Sequence, residues 1–485
     1  MPDTAQIPLT QSFPGLLLSA RAGRRVLDGL EQTHARAREF AETHVRPRAM
    51  EIDRLAGSDP NHFPWEVVRA GLAYRMLSVL IPRQAGGVGG LLTHGVIVME
   101  ELCAACPGIA NIFGAHALGA CPLLVTGSIG HWDGLLREIA DAELRGEPIL
   151  MALAITEPEA GTDVEDTCLM RRARITSAAR RVPGGYRLSG AKRFISNGSV
   201  ARWITVFMPT DPRDPADTWT CFLLDSRSEG FSVSRVEHKM GQRACPAAEL
   251  ALDEVFVPDE AVIGRPGDGM PITLMTMATS RPGVAAIATG TARGAYERLL
   301  AWLQSTSDGG RLLERQHVQL ALAEMHEEIH LARQAYMDAA LVLDLEALGG
   351  TLRHPMMRLY NRIPVSWRRA RPMRSLLSTP AAREAAASFL RRKTDARTAT
   401  RSLAISSMAK ARGADVAMRV SRRALEVVGL TDDPVRAELQ KLWRDAKLTQ
   451  IYEGTNQLNR LEVHRGLCAG DVMEIVPSAR HRGAA

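Results

Sequence analysis

Lysine is nearly absent. Six positions carry it (192, 239, 393, 410, 441 and 447) against 54 arginines. An arginine bias spread along a whole chain is what a GC-rich coding sequence produces. The formal charge of +6 and pI of about 9.1 are therefore weak arguments for a nucleic-acid partner. No uncharged apolar run is read as approaching 18 residues, so no membrane-spanning helix is expected. The short run Leu16-Leu17-Leu18 precedes the bases Arg21, Arg24 and Arg25 instead of following them, the wrong order for a secretory leader. Cysteine is sparse and odd in number, seven in all, with Cys121 and Cys221 in apolar surroundings. They read as reduced thiols of a cytoplasmic protein. No G-x-G-x-x-G follows a strand pattern and no βαβ alternation is visible, which argues against a Rossmann dinucleotide site.

What is present is ample for folding. With 485 residues, 46% of them apolar, the chain has material for about three domains of roughly 150 residues each. No disulfide framework or structural metal is needed to hold such a core. Residues 1–25 carry Pro2, Pro8 and Pro14 with little periodicity and read as a flexible tail. From 26 to 150 apolar residues recur at helical spacing. Between 151 and 265 the period changes. The runs at 173–182 and 186–195 flank Pro183-Gly184-Gly185 as a hairpin, and further β-type runs follow at 202–210, 218–225 and 231–237. Helical spacing resumes after Gly267-Asp268-Gly269 and holds from 266 to 475, ahead of a tail at 476–485. The fold class is α+β: an N-terminal α-helical domain, a central β-barrel-like domain, and a C-terminal α-helical bundle with an Arg-rich insertion at 351–402.

Two stretches carry chemistry. In the first, 442–467, Glu453 lies between the bulky Ile451-Tyr452 and the small Gly454. A carboxylate desolvated by such neighbours gains basicity and suits abstraction of a weakly acidic carbon proton. Gly454 lets a substrate or cofactor approach the backbone, and Thr455 and Gln457 add hydrogen-bonding groups. In the second, 151–163 joined to 190–199, Thr156, Thr162 and Ser196 place hydroxyls at the rims of β segments. Such groups suit a polar planar ring or a pyrophosphate. Taken singly, each of these residues also reads as an ordinary turn or cap.

Together the two stretches resemble the acyl-CoA dehydrogenase family. The family's T-E-P-x-A-G-[ST]-D stands here as Thr156-Glu157-Pro158-Glu159-Ala160-Gly161-Thr162-Asp163, and its R-D-A-K as Arg444-Asp445-Ala446-Lys447, followed by Ile451-Tyr452-Glu453-Gly454-Thr455. The resemblance covers about 30–345 and 403–468. It implies an FAD-dependent enzyme that oxidises the α,β bond of an acyl thioester, carried on CoA or on an acyl-carrier protein, and passes electrons to an electron-transfer flavoprotein. By the same resemblance Glu453 is the catalytic base, and its N–H helps hold the thioester carbonyl. Thr156 and Thr162 fall where flavin and substrate are met. Phe194 stands where a Trp usually faces the isoalloxazine, and Ser196 where a Thr lies near N5. Thr455 and Gln457 match FAD-binding positions, and Arg281 matches an arginine lining the pocket near the base.

The departures are equally specific. R-x-x-F-G, by which a partner subunit normally reaches the FAD, is represented only by Ser305, Asp308 and Gly309. Q-x-x-G-G stands as Glu426-Val427-Val428-Gly429-Leu430. The expectation is either a homo-oligomer in which the Arg-rich insertion supplies replacement cations, or a heteromer whose related subunit supplies the missing residues. Between 351 and 401 thirteen bases face only Glu384 and Asp395. This segment nets +11 in a +6 chain, so the remainder carries about −5. A solvated loop, an acidic carrier protein, CoA phosphates and peripheral membrane contact through 351–402 all suit it. Nucleic acid suits it least, since only Tyr360, Trp367 and Phe389 offer stacking faces. His326-Glu327-Glu328-Ile329-His330 matches H-E-x-x-H, but on an amphipathic segment it reads as a solvated polar face, and no metal is expected. Cys103-x-x-Cys106 lacks a second pair and reads as structural thiols.

Overall fold

The structure, a computed structural model, describes residues 24–127, 129–345 and 396–469, together with 362–364, 367 and 379. Most of the Arg-rich insertion and both tails lie outside the described residues. Helices come first: α1 (Arg24–Phe40), α2 (Ala49–Ser58), α3 (Trp65–Ala73), α4 (Leu92–Ala105), α5 (Pro107–Val125) and α6 (Arg137–Leu144). Proline at the first position of α5 supplies a preset φ where no N–H is needed. One expectation fails here. The 19 residues of α5 carry no Asp, Glu, Lys or Arg and are long and apolar enough to cross a membrane. The reason is burial on nearly every side: α5 packs against α4, the first strand and the long helix of the C-terminal bundle. A helix enclosed all round has no use for a polar face.

Eight strands follow: β1 (Met151–Ala154), β2 (Ala178–Val182), β3 (Gly185–Ser196), β4 (Trp203–Pro209), β5 (Trp219–Asp225), β6 (Phe231–Val236), β7 (Ala247–Pro258) and β8 (Val262–Ile263). They form two four-stranded sheets, ordered β1-β4-β5-β8 and β2-β3-β7-β6. The hairpin β2–β3 turns at Pro183-Gly184, with Val182 opposite Gly185. β1 runs parallel to β4, pairing Met151 with Trp203. In β3 the register with β7 slips between Lys192 and Ile195. At this bulge Phe194 takes φ 59°, and its ring is left 56% exposed.

The chain then returns to helices: α7 (Gly269–Ser305), α8 (Ser307–Leu313), α9 (Gln316–Leu343), α10 (Ala396–Val428), α11 (Pro434–Thr449) and α12 (Asn456–Val463). The order of helices, sheets and helices is the architecture expected from the sequence. α7 is the central helix, packed against α4, α5, α9, α10 and α11. Its Gly290 and Gly294 face α4 so closely that a Cβ would fall 2.4 Å from the carbonyl oxygens of Glu100 and Ala104. A tie between domains fixes α4: Asp344 accepts from the N–H of Leu92 at 2.7 Å and of Thr93 at 3.0 Å, satisfying donors at its start.

Candidate active site

The R-D-A-K run builds the floor of the site. From α11, Arg444 donates to the Met240 carbonyl at 2.7 Å and to Asp53 Oδ2 at 2.6 Å. Asp445 accepts from the Gln242 N–H and from Lys441 Nζ, the latter at 2.6 Å. Gln242 Nε2 in turn donates to the Tyr452 hydroxyl at 3.2 Å. These bonds lock the end of α11 to the exit of the β domain and so fix where the next turn emerges. That turn carries Glu453 at φ 57° and Gly454 at φ 76°, after which Thr455 caps α12 by accepting from Leu458 N–H at 3.3 Å.

Consecutive carbonyls of this turn are gripped from below. Arg281 Nε donates to the Glu453 carbonyl at 3.1 Å, and Lys410 Nζ to the Gly454 carbonyl at 2.6 Å. Asn459 Nδ2 reaches the Gly454 and Thr455 carbonyls at 3.0 and 2.9 Å. Arg281 also donates to Ser407 Oγ at 2.7 Å, to Glu462 Oε2, and to Glu165 Oε2 at 3.1 Å. Arg281 was expected to line the pocket. Instead it is fully buried beneath the turn, with every nitrogen occupied. The space beside Gly454 is also filled by protein: a Cβ there would fall 2.8 Å from Glu165 Oε2 and 3.0 Å from Arg281 Nη2. Glycine is demanded here by that contact and by its positive φ.

Above the turn lies a cavity of about 220 Å³. Its walls are apolar side chains such as Leu92, Val96 and Met99 of α4 and Phe113, Leu118 and Leu124 of α5. Glu453, Ser280, Thr156, Phe194, Ser196 and Glu165 all face it. Glu453 keeps partial exposure through the cavity although it sits deep in the protein. Desolvation pushes its carboxyl above the usual range, against the Ser280 hydroxyl that donates to it and the charges of Arg281 and Lys410. The structure thus brings Glu453, Thr156, Phe194 and Ser196 to one cavity. Thr162 opens the 3-10 turn Thr162–Glu165, Thr455 is the cap of α12, and Gln457 is exposed on that helix.

Five residues of the site escaped the sequence reading: Glu165, Ser407, Lys410, Asn459 and Glu462. The readable signal was a lysine at a core-facing position of α10, and an amide and a carboxylate three residues apart in α12. Glu157 of the T-E-P run was likewise missed as a structural group. It is buried with Lys192, Nζ to Oε1 2.8 Å, and accepts from the Thr176 N–H at 2.7 Å. In the H-E-x-x-H run His326 and Glu327 are exposed, and no group of three or more metal-ligating side chains converges among the described residues. Cys103 and Cys106 are buried free thiols, with Lys441 Nζ 3.2 Å from Cys106 Sγ. Asp308 is exposed and paired with Arg311 at 2.6 Å.

The residues fit a flavin. The bulge in β3 leaves the Phe194 ring exposed at the cavity, which Thr156 and Ser196 also line. An exposed ring beside hydroxyl donors is the surface a planar, polar-edged heterocycle stacks on.

Three family models match the chain: the acyl-CoA dehydrogenase N-terminal domain over residues 28–143, the middle domain over 152–255, and the C-terminal domain over 267–363 and 365–468. A short-chain-specific acyl-CoA dehydrogenase of Clostridium acetobutylicum is 30% identical over 429 residues, covering 88% of this chain and 94% of that protein. Butyryl-CoA dehydrogenase from Megasphaera elsdenii superposes with a TM-score of 0.68 at 25% identity, over 90% of this chain and 97% of that one. A chain from a structure of the electron transferring flavoprotein of Acidaminococcus fermentans superposes with a TM-score of 0.70 at 26% identity, over 91% and 98%. With its two signatures on one cavity and all three domains matched in order, this chain belongs to the acyl-CoA dehydrogenase family of FAD-dependent oxidoreductases.

Proposed function

We propose that the protein converts an acyl-CoA with an uncharged acyl chain to its trans-2-enoyl thioester, with Glu453 as the base. The observation that carries this is a carboxylate of raised basicity at the end of an apolar cavity. Glu453 takes the α proton through Oε1 or Oε2, while Ser280 fixes the carboxylate's orientation. The N–H of Glu453 is the donor for the thioester carbonyl, stabilising the charge that develops as the proton leaves. Loss of that proton and of a hydride from the β carbon forms the C=C bond. When bound, FAD supplies the two-electron oxidising power. Phe194, Ser196, Thr156 and Thr162 would hold its ring side, and Thr455 and Gln457 the remainder.

The cavity walls define the acyl group. Among the described residues lining them the only charged side chains are Glu165 and Glu453, and no cation is present. A distal carboxylate on the acyl chain would be desolvated without a partner, at a cost of several kcal/mol. An apolar chain is accepted and a dicarboxylic one refused. Reoxidation by an electron-transfer flavoprotein completes the cycle. The test is Glu453→Gln in the holoenzyme. Turnover should fall by about 10²–10⁴-fold, the usual contribution of a general base, with bound flavin retained.

A second reading rests on Ser305 and Asp308. Where the sequence pattern calls for an arginine and a phenylalanine to reach a neighbouring subunit's FAD, these side chains offer a hydroxyl and a carboxylate. In this reading a related subunit, or the Arg-rich insertion, completes the cofactor site.

A further inference from the structure

The cavity wall carries a buried polar group that no protein atom answers. Other polar side chains lining it have partners: Glu165 meets Arg281, Glu453 meets Ser280, Tyr452 meets Gln242, and the Cys121 thiol lies 4.0 Å from the Thr276 carbonyl. Asn111 of α5 lines the same cavity and is only 9% exposed, and its side-chain amide has no hydrogen-bond partner among the described residues. Gly114, three residues on, leaves a gap beside it. A Cβ at Gly114 would fall 3.4 Å from Asn111 Oδ1 and 3.1 Å from Met99 Cε, so the amide oxygen and the Met99 methyl border one hollow in the wall. The base lies elsewhere along α5. Its neighbourhood is marked by Cys121, whose thiol reaches Thr276, one helical turn before the Ser280 that donates to Glu453. Asn111 precedes Cys121 by ten residues, roughly 15 Å along the helix axis.

An amide in this position responds differently to different acyl chains. A plain alkyl chain that fills the cavity strips water from the amide and leaves its donors and acceptor facing hydrocarbon, which is unfavourable. A chain with a hydroxyl at the same depth restores the pairing, because a hydroxyl both donates to Oδ1 and accepts from Nδ2. A carboxylate gains less, since the described cavity wall has no cation to neutralise it. We propose that Asn111 is a specificity-determining residue, and that the preferred substrate is an acyl-CoA bearing a hydroxyl on its chain, beyond the α and β carbons, where it pairs with this amide. The inference rests on the dehydrogenase reading given above and narrows its substrate class. Unsubstituted chains remain substrates, but poorer ones. A site with a buried polar group discriminates against an analogue lacking the matching group more strongly than against one differing by a methylene.

The test is a substrate scan on the holoenzyme. Acyl-CoAs of the best-oxidised chain length are compared with analogues whose hydroxyl is moved carbon by carbon along the chain, starting beyond the β carbon. At one position kcat/KM in wild type should exceed that of the plain chain by about tenfold, the worth of one well-made hydrogen bond. In Asn111→Leu, which keeps a branched side chain but no polar atom, the preference should invert: the plain chain gains and the hydroxylated chain loses. A merely structural role for Asn111 would lower both together. Binding without turnover gives a second measure. Dissociation constants in Glu453→Gln, read from the change in the flavin spectrum, should show the same preference for the hydroxylated chain. The inference is overturned if no hydroxyl position is favoured in wild type, or if the preference survives unchanged in Asn111→Leu. In either case oxidation of the plain chains leaves the dehydrogenase reading intact. Failure of every acyl-CoA to be oxidised would refute that reading itself, and this inference with it.

Discussion

Glu453 occupies a left-handed backbone conformation that costs a side-chain-bearing residue roughly 1–2 kcal/mol. Arg281, Lys410 and Asn459 offset this by holding the carbonyls of the turn. Gly454→Ala adds strain at φ 76° and drives a methyl into Glu165. Its stability, read from denaturant midpoints, should drop by more than about 1 kcal/mol. The basicity of Glu453 sets two further expectations. The base works only when ionised, so kcat/KM must fall as pH drops through a value above the ordinary carboxylate range. Because the folded protein binds this proton more tightly than the unfolded chain, ionised Glu453 costs stability, and the cost grows as pH rises from the unfolded to the folded value. Glu453→Gln should consequently melt higher than wild type at pH 8, and a lower melting temperature would contradict a raised carboxyl.

At the scale of elements, long-range side chains fix the walls of the site. Asp344 supplies the cap that the residue before α4 does not, so Asp344→Ala should cost about 0.5–2 kcal/mol. The loss should register as faster amide exchange at Leu92 and Thr93. Lys192 and Glu157 form a wholly buried ion pair, and Lys192→Met strands the carboxylate among the hydroxyl and amide donors of Thr176 and Ser177. That substitution should cost about 3–5 kcal/mol in chemical denaturation. These elements differ in how plainly the sequence announced them. The β2–β3 hairpin was legible because Pro183-Gly184 is a local turn signal between alternating runs. The parallel pairing of β1 with β4 was not, since its partners are fifty residues apart and each strand is buried on both faces. α5 was misread as less apolar than it is, because enclosure by three other elements leaves no amphipathic trace. The base turn was legible through its motif. Glu165 and Glu462 were not, because only tertiary packing brings a 3-10 turn and the short helix α12 to the same arginine.

The fold brings Thr156 of the first signature and Glu453, which follows the second, to one cavity although they lie nearly 300 residues apart in the chain. The local excess of +11 at 351–401 follows α9 in the chain and runs into the start of α10. If the insertion supplies the missing cations, the chain purified alone should carry one FAD per subunit and lose it on deletion of 351–401. If a related subunit supplies them, FAD should bind only after mixing. The central claim is that Glu453 deprotonates an acyl-CoA whose uncharged acyl chain lies in the apolar cavity. Its most direct test is anaerobic bleaching of the bound flavin by a panel of acyl thioesters, in wild type and in Glu453→Gln. The account predicts bleaching by straight apolar acyl-CoAs, none by acyl chains ending in a carboxylate, and none in the variant. Equal bleaching by wild type and variant would contradict it.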